Sequence, residues 1–567
     1  MTATSPVLRD TQYAVQLIGP DALTLNRAKP VHRPGPHQLL VKVEAVGLCF
    51  SDLKLLKQFA EHPRKAPVAS GIEPGVLEHL PSYVPGSAPT VPGHEVVARI
   101  VAVGERVEHH RVGERVLVQA DFRTLRTAGS NGAFGYNFEG GLQEYVLFDE
   151  RVVIERETGQ RYLIPVAEHL GASAVALVEP WGCVENAYVN VERRGILPRG
   201  RLMVVVDQGR AIRGLFDPHV RAEALPREIV LVSSSLAPLA ALGTLATSVW
   251  QTSSAAELPE ESFDDIVYFG HSAETLELLN GKLGSRGILN IVLAGAAIGR
   301  KVSVGVGRLH YGFTRWIGTA GYSAADAYRS IPPTGELRPG DRVCIVGAGG
   351  PMGQMHTLRA VCSGIKDIEV VGADIDDGRL EALRRKSEPF ARRNGVRLSL
   401  VNTKRQELAG PFTYFALMAP MGQLVADAID RSGPAARINI FAGIPAPIRH
   451  ELDLDRYIRQ GVFMFGTSGS RIEDMQAVLE KVTAGTLDTN ASVDAICGMA
   501  GAIDGIRAVE GRTLAGKIIV YPALHDLGLV SLADLPTRLP SVAAKLENGL
   551  WTPAAEQELL KATAACK

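Results

Sequence analysis

The segment DRVCIVGAGGPMGQMHTLRAV, residues 341–361, carries three local signals in succession. Arg342–Val346 is a short apolar run, Gly347–Gly353 contains four glycines and a proline, and Met355–Val361 has helical spacing. The pattern predicts a strand that passes through a glycine-rich turn directly into a helix. Units of this kind build parallel α/β sheets, so the segment indicates the fold class of at least this part of the chain.

The glycines of this turn have the spacing of a phosphate-binding loop. Such a loop uses one glycine for the tight turn, one for close approach of the backbone to a pyrophosphate, and one for helix–strand packing. The free N–H groups at the helix start then face the phosphates. The turn has one residue more than GxGxxG, so either Gly347 and Gly349 or Gly349 and Gly350 take the first two roles, with Gly353 in the third. The predicted dinucleotide contacts in the turn are Gly347, Gly349, Gly350, Pro351, Met352 and Gly353.

A carboxylate follows at the distance expected for ribose recognition. The predicted strand Ile368–Ala373 ends at Asp374, 27 residues after Gly347. A carboxylate here accepts a hydrogen bond from the adenosine 2′-hydroxyl and repels a 2′-phosphate, so NAD is expected rather than NADP. Arg379, which begins the next predicted helix, completes the predicted cofactor contacts. The other role open to an acidic residue here is that of helix N-cap, which suits Asp376 or Asp377.

The α/β part of the chain contains an internal repeat. Residues 287–321 align with 436–469 at an offset near 149, each with an Asn inside an apolar strand and a later Gly-Thr. The alignment predicts a duplicated nucleotide-binding domain. The turn of the first copy, residues 207–214, has few glycines, and Arg210 would crowd a pyrophosphate. We therefore expect a degenerate first copy, kept for packing, oligomerisation or an altered ligand.

Composition narrows the class of partner and the compartment. The chain has 60 basic and 61 acidic residues, so no net field favours nucleic acid or an anionic membrane. The six cysteines are scattered, as in proteins of a reducing compartment. Neither a secretory signal nor an apolar run long enough to span a membrane is recognisable. We expect a cytoplasmic protein that acts on a small molecule.

Three patches in the β-rich first 190 residues bring metal-ligating residue types together: Cys49-Phe50-Ser51-Asp52, His94-Glu95, and Glu179-Pro180. A thiolate, an imidazole and a carboxylate form a three-ligand zinc site with one position open to a substrate oxygen. Such an ion lowers the pKa of an alcohol, so that hydride can leave the carbon. Taken singly, each patch also fits a structural role, such as a small core cysteine.

Together these patches and the later glycine turn resemble the zinc-dependent medium-chain dehydrogenase/reductase family, in particular its sorbitol dehydrogenase and sorbose-phosphate reductase branch. The resemblance implies a GroES-like catalytic domain and Rossmann-type sheets. It further implies that Cys49, His94 and Glu179 bind one catalytic zinc, with Glu179 acting directly or through a water. Glu95 would be an alternating or outer ligand, Asp52 would orient the site, and Ser51 would start a proton relay.

The chain departs from the family in ways that affect the site. The cluster of four closely spaced cysteines that holds a structural zinc in many relatives is missing, so no structural zinc is expected. The interval from Cys49 to His94 is 45 residues, which predicts an inserted loop that reshapes the substrate entrance. Lys54 and Lys57 are either ligands for a phosphorylated substrate or solvated lysines.

The predicted organisation is a catalytic domain at 1–194, completed by about 516–567, a degenerate Rossmann-like domain at 195–335 and an NAD-binding Rossmann domain at 336–515. The tail beyond 522 is expected to pack across the extra domain. The expected reaction is hydride transfer between NAD and a secondary alcohol of a polyol, sugar or sugar phosphate, in a homodimer or homotetramer. The alternatives are a zinc-free NAD(P)-dependent reductase or lyase-like relative, and a non-catalytic nucleotide-binding scaffold.

Overall fold

The computed structural model describes residues 8–216, 222–235, 242, 245–246 and 248–564. The chain divides into two compact units, Met1–Glu185 with Gly469–Lys567, and Asn186–Ser468. The strands are β1 Thr11–Gly19, β2 Ala22–Pro30, β3 Gln38–Gly47, β4 Val68–Ser70, β5 Glu95–Val103, β6 Arg115–Val118, β7 Asp121–Thr127, β8 Asn131–Ala133, β9 Tyr145–Asp149, β10 Leu163–Pro165, β11 Arg201–Val206, β12 Glu228–Val232, β13 Ser248–Thr252, β14 Phe263–Phe269, β15 Leu283–Val292, β16 Val302–Val304, β17 Arg315–Thr319, β18 Arg342–Val346, β19 Glu369–Asp374, β20 Arg397–Asn402, β21 Phe412–Leu417, β22 Ser432–Ile440, β23 His450–Leu452, β24 Phe463–Phe465, β25 Val493–Cys497, β26 Lys517–Val520 and β27 Val530–Ser531. The helices are α1 Asp52–Gln58, α2 Pro74–Glu78, α3 Glu150–Val153, α4 Ala172–Ala176, α5 Val178–Val189, α6 Ala273–Lys282, α7 Arg308–Tyr311, α8 Ala324–Ser330, α9 Pro351–Val361, α10 Asp377–Asn394, α11 Gly422–Asp430, α12 Leu454–Arg459, α13 Ile472–Thr483, α14 Ala502–Gly511, α15 Leu535–Arg538, α16 Pro540–Ala543 and α17 Pro553–Ala564.

The first unit is built around an eight-stranded sheet in the order β10-β6-β5-β3-β26-β25-β27, with β9 also paired to β3. β3 is central because β5, β9 and β26 all pair with it antiparallel. The sequence predicted that the chain rejoins this domain at about 516. β25, at Val493–Cys497, already belongs to its sheet because it pairs with β26 on one side and β27 on the other.

The second unit contains two six-stranded parallel sheets of the same topology. Their orders are β13-β12-β11-β14-β15-β17 and β20-β19-β18-β21-β22-β24. Each strand of the first sheet therefore has an equivalent in the second, which confirms the predicted duplication. The mixed α/β class with Rossmann-like sheets is also confirmed.

The two copies pair through equivalent segments. β16 and β23 are antiparallel, with Ser303 opposite Glu451 and Val302 opposite Leu452. Because 451 follows 303 by the offset of the repeat, the contact has the self-complementary form of a two-fold interface. One cluster of buried apolar residues spans both copies, including Trp316 and Met464. The copies consequently share a core.

The C-terminal segment belongs to the first unit. Glu556 on α17 accepts hydrogen bonds from the backbone N–H groups of Ala172 and Ser173 at 2.5 and 2.7 Å. A carboxylate at this position satisfies N–H groups that the start of α4 leaves unpaired. The expectation that the tail packs across the extra domain is therefore wrong. Cys566 and the N-terminal Met1–Pro6 lie outside the described residues.

Within the described ranges, every helix is too short or too polar to cross a membrane.

Candidate active site

Three potential metal donors meet where β3 ends and β5 begins. The pairing of β3 with β5 places Gly47 opposite Glu95. Cys49 follows β3 after one intervening residue, and His94 immediately precedes β5. One ligand atom each from Cys49, His94 and Glu95 lie within 4.8 Å of one another. Residues 45 positions apart therefore converge because their strands are neighbours.

Asp52 fixes the orientation of His94. Its Oδ1 lies 2.9 Å from Nδ1 of His94, and both side chains are buried. A carboxylate on Nδ1 holds the imidazole tautomer that leaves Nε2 as the donor to a metal. Burial opposes charging of His94, but the Asp52 carboxylate raises the pKa of the imidazole well above its ordinary value.

Ser51 connects the donors to a buried tyrosine. Its hydroxyl donates to Sγ of Cys49 at 3.1 Å and lies 3.2 Å from Nε2 of His94. Ser51 also shares a side-chain hydrogen bond with Tyr136, whose pKa is raised chiefly by burial. A hydroxyl that touches both donors and a second hydroxyl can pass a proton away from them.

Glu95 is buried against a lysine that the sequence analysis did not single out. Its Oε1 lies 2.5 Å from Nζ of Lys517, which enters from β26. Its Oε2 is buried without a hydrogen-bond partner among the described atoms. Gly47 makes room for this carboxylate, since a Cβ there would lie 2.0 Å from Oε2. A buried carboxylate with one unpartnered oxygen, close to a thiol and an imidazole, is the arrangement expected of a metal ligand.

Glu179 lies beside the donors without joining the group of three. Its side chain is buried at the start of α5. Burial raises the pKa of Glu179 to about 7, with His94 acting in the opposite sense and Glu95 reinforcing the shift. These interactions place the carboxyl within electrostatic range of both. Glu95 thus stands in the group of three and Glu179 interacts with it, while the resemblance implies Glu179 as a ligand and Glu95 as an alternating or outer one.

The donor set fits zinc. Thiolate, imidazole and carboxylate are the three ligand types that zinc takes in enzymes. Asp52 presents the imidazole correctly, and Glu95 has the free oxygen that a metal would use.

The glycine turn at residues 347–353 has the predicted context. β18 ends at Val346, Gly350 is the N-cap of α9, and Pro351 opens the helix. Gly347 has φ +82°, a conformation that side chains disfavour. A Cβ at Gly349 would lie 2.6 Å from Cβ of Arg379, and one at Gly353 would lie 2.2 Å from the Gly347 carbonyl oxygen.

These contacts separate the two registers that the sequence leaves open. A Cβ at Gly350 would meet its nearest heavy atom at 3.7 Å, an ordinary contact. Positive φ therefore requires glycine at 347 and close packing requires it at 349 and 353, whereas 350 can hold a side chain. The geometry favours Gly347 and Gly349 in the first two roles.

Asp374 closes the turn from the end of β19. Its Oδ2 accepts from the Gly349 N–H at 2.8 Å, and its Oδ1 accepts from the N–H groups of Ile375 and Asp376. A carboxylate has about four acceptor sites, so capacity remains for a ribose hydroxyl. Asp376 caps α10 by accepting from the Arg379 N–H at 3.0 Å, which is one of the two cap positions predicted.

The corresponding edge of the first copy is filled by its own arginine. Nη1 of Arg210 donates to the Leu293 carbonyl at 3.1 Å, and its Nη2 lies 3.1 Å from Nδ1 of His271. The described residues 207–216 form no helix, so they offer no helix N-terminus to a phosphate. Both features agree with the predicted loss of dinucleotide binding.

Comparison with known proteins places this arrangement in a family. Residues 35–158 match the family described as "Alcohol dehydrogenase GroES-like domain". The chain is 31% identical to (R,R)-butanediol dehydrogenase of Bacillus subtilis (strain 168) over 155 residues, covering 26% of this chain and 38% of that protein. It is 23% identical to mannitol-1-phosphate 5-dehydrogenase of Aliivibrio fischeri over 352 residues, covering 57% and 77%. Residues 35–158 therefore carry an alcohol dehydrogenase GroES-like domain, and the longer matches support the medium-chain dehydrogenase/reductase family.

A solved structure shares the fold of this chain. The crystal structure of 2R,3R-butanediol dehydrogenase from Bacillus subtilis aligns with a TM-score of 0.51 at 15% identity, covering 90% of this chain and all of that one. This likeness shows the fold, while the sequence relatives named above support an alcohol dehydrogenase-like oxidoreductase.

The sequence analysis missed three side chains of this region, namely Lys517, Tyr136 and Arg64. Lys517 carried a weak signal, because a lysine inside the apolar strand Lys517–Val520 needs a buried partner. Tyr136 lies in a turn and Arg64 in the short 3-10 helix Pro63–Lys65, and neither segment has such a pattern.

Proposed function

We propose that this protein catalyses reversible, zinc-assisted transfer of a hydride between NAD and a secondary alcohol of a polyol, sugar or sugar phosphate. The observation that carries the proposal is the convergence of Cys49, His94 and Glu95, with one carboxylate oxygen of Glu95 left unpartnered. We expect one zinc per chain, bound by these three residues, with Glu179 as an alternative ligand. When bound, zinc supplies Lewis acidity for the substrate oxygen.

The chain's own residues prepare the site for proton removal. Asp52 keeps Nε2 of His94 available as a metal ligand. The Lys517 ammonium group pairs with one oxygen of the buried Glu95 and balances the negative charge of its carboxylate. The Ser51 hydroxyl is placed to take the proton of the substrate alcohol and to pass it toward Tyr136. Burial of these groups limits the access of water to the reacting hydroxyl.

The turn at residues 347–353 is assigned to the pyrophosphate of the dinucleotide, with Asp374 on the adenosine ribose. Asp374 accepts three backbone hydrogen bonds, which hold its carboxylate where it would disfavour a 2′-phosphate. NAD is therefore the proposed cofactor. A cytoplasmic location fits the free thiols of the described cysteines.

A homo-oligomer stays a prediction. The surface formed by β16 and β23 is already used within one chain, so assembly of several copies would need a different surface.

Metal content tests the proposal. Purified wild-type protein should hold about one zinc per chain, and Cys49→Ala should lose it together with alcohol-dependent reduction of NAD. Cys362→Ala is the matched control, since it removes a partly exposed thiol from the end of α9. Wild-type protein that turns over alcohols without bound metal would contradict the proposal and favour a zinc-free reductase.

A further inference from the structure

The inserted segment between Cys49 and His94 contains a tightly anchored turn, Pro63–Lys65. The Lys65 side chain is fully buried, and its ammonium group donates to the carbonyl oxygens of Val84 and Ala88. Nδ1 of His62 accepts from the Arg64 N–H at 3.2 Å and so caps the turn. Burying a lysine stabilises one conformation of the turn only if its donors are satisfied, as they are here.

Further contacts join the segment to neighbouring elements of the first unit. β4 pairs antiparallel with β7, with Val68 opposite Thr127. The Asn137 side chain donates to the Ala66 carbonyl at 3.0 Å, and the Val68 N–H donates to the Tyr83 hydroxyl at 2.7 Å. The insertion is therefore an ordered part of this unit, and it fixes the backbone of Arg64.

Arg64 points toward polar groups near the metal donors. One of its terminal nitrogens lies 2.8 Å from Oδ1 of Asp121, and its guanidinium carbon lies 5.3 Å from the centre of the Tyr136 ring. Burial works against its charge, but Asp121, Tyr136, Glu179 and Cys183 together keep the pKa of the guanidinium raised. The side chain as a whole is 30% exposed, and Asp121 is its ion-pair partner among the described residues.

The ring of Tyr136 connects this arginine to the candidate zinc site. The same ring lies 6.0 Å from the imidazole of His94 and 5.1 Å from that of His62. Arg64 therefore places a positive charge beside the aromatic ring that neighbours His94, one of the metal donors.

Lys57, which the sequence offered as a ligand for an acidic substrate, is used elsewhere. Its ammonium group forms ion pairs with Asp21 at 2.8 Å and Glu510 at 2.6 Å on the surface.

We infer that Arg64 binds an anionic group of the alcohol substrate, a phosphate or a carboxylate, so that the insertion selects anionic over neutral alcohols. The inference rests on the proposed function. A guanidinium has five N–H donors in a planar fork that matches both anions, and Asp121 occupies only one edge of it. The attraction of a fixed, partly desolvated cation offsets the free energy that an anion loses when it is dehydrated. A neutral polyol gains little from the same cation.

The test compares substrates that differ in one charged group. kcat/KM is measured with zinc-loaded protein and NAD for a neutral hexitol, the hexitol phosphate and the corresponding aldonic acid. Arg64→Ala should lose roughly 10- to 150-fold on one or both anionic substrates, which is the effect of a hydrogen bond to a charged group, and change little on the neutral one. Arg64→Lys should be intermediate because it keeps the charge but not the fork.

Arg161→Ala is the matched control. Arg161 is 25% exposed and pairs with Glu114 at 2.7 Å, which reproduces the burial and ion pair of Arg64 away from the metal donors. A structural role for Arg64 would lower kcat/KM equally for all three substrates and would overturn the inference. The values of kcat/KM for the hexitol phosphate and the aldonic acid show which anion the wild-type protein prefers.

Inorganic phosphate separates this inference from the proposed function. It should compete with the substrate, and calorimetry should show weaker phosphate binding to Arg64→Ala than to wild type. If wild type oxidises the neutral hexitol at least as well as both anionic substrates, the inference fails while the proposed function stands. If no alcohol is oxidised, the proposed function fails. Equal phosphate affinity of wild type and Arg64→Ala then overturns the inference as well.

Discussion

Replacing Gly353 by alanine tests the dinucleotide turn directly. The added Cβ would lie 2.2 Å from the carbonyl oxygen of Gly347 and 2.6 Å from Cα of Ala348. Ordinary contacts begin at 3.4 Å, and both neighbours are backbone atoms that cannot rotate away. The turn must therefore move away from α9, which shifts the N–H groups assigned to the pyrophosphate.

The cost follows from two opposing effects. Forcing an extra carbon into a packed site costs about 1–3 kcal/mol, while glycine to alanine inside a helix returns up to about 1 kcal/mol. In the free protein the turn can relax, but binding must restore its shape. The helix gain is the same in the free and the bound protein, so the strain alone sets the expected loss of NAD affinity, about 5- to 150-fold.

Titration of NADH fluorescence measures this loss, with the melting temperature recorded in parallel. Gly350→Ala should affect binding much less, because its Cβ has 3.7 Å of clearance. Gly195→Ala controls for the substitution itself, since nothing lies within 4 Å of the new Cβ. Wild-type affinity in Gly353→Ala would refute the turn as the dinucleotide site, and a greater loss in Gly350→Ala would refute the assigned register.

Three further predictions concern stability. Lys517→Met leaves Glu95 buried and unpaired, so metal-free protein should lose about 3–5 kcal/mol in chemical denaturation. The exposed Lys57→Met should lose much less, and equal losses would contradict the buried pair. Trp316→Ala should cost about 3–5 kcal/mol and accelerate hydrogen exchange in both six-stranded sheets, whereas acceleration in one sheet alone would argue against a shared core. Burial lowers the pKa of His356 to about 3, so the unfolded chain takes up a proton near pH 6.5 that the folded chain does not. The stability that the neutral His356 contributes is therefore fully present above pH 6.5 and is lost as the pH falls toward 3. His356→Gln should reduce this loss in an acid titration. An unchanged slope would exclude His356 as its source.

The features that could be predicted from sequence are those encoded within short segments. The glycine turn at 347–353 determines its own backbone through positive φ and close packing, and the motif marks those positions. The repeat at an offset near 149 predicted two sheets because each copy preserves its own strand order. The donors Cys49, His94 and Glu95 could be predicted because each lies in a recognisable sequence motif.

The features that could not be predicted depend on pairing between distant strands. Lys517 meets Glu95 only because β26 lies beside β3, although 422 residues separate the two side chains. Arg64 is positioned by an insertion whose buried lysine has no sequence pattern. The arrangement of Glu95 and Glu179 likewise depends on which carboxylate the folded sheet brings closest, and spacing alone carries no such information.

Formation of NADH from a polyol panel, compared between zinc-loaded wild type and His94→Ala, tests the central claim most directly. The account predicts alcohol-dependent reduction of NAD by wild type and a loss of at least about 100-fold in His94→Ala, because the site loses the donor that Asp52 orients. Undiminished turnover in His94→Ala would contradict it.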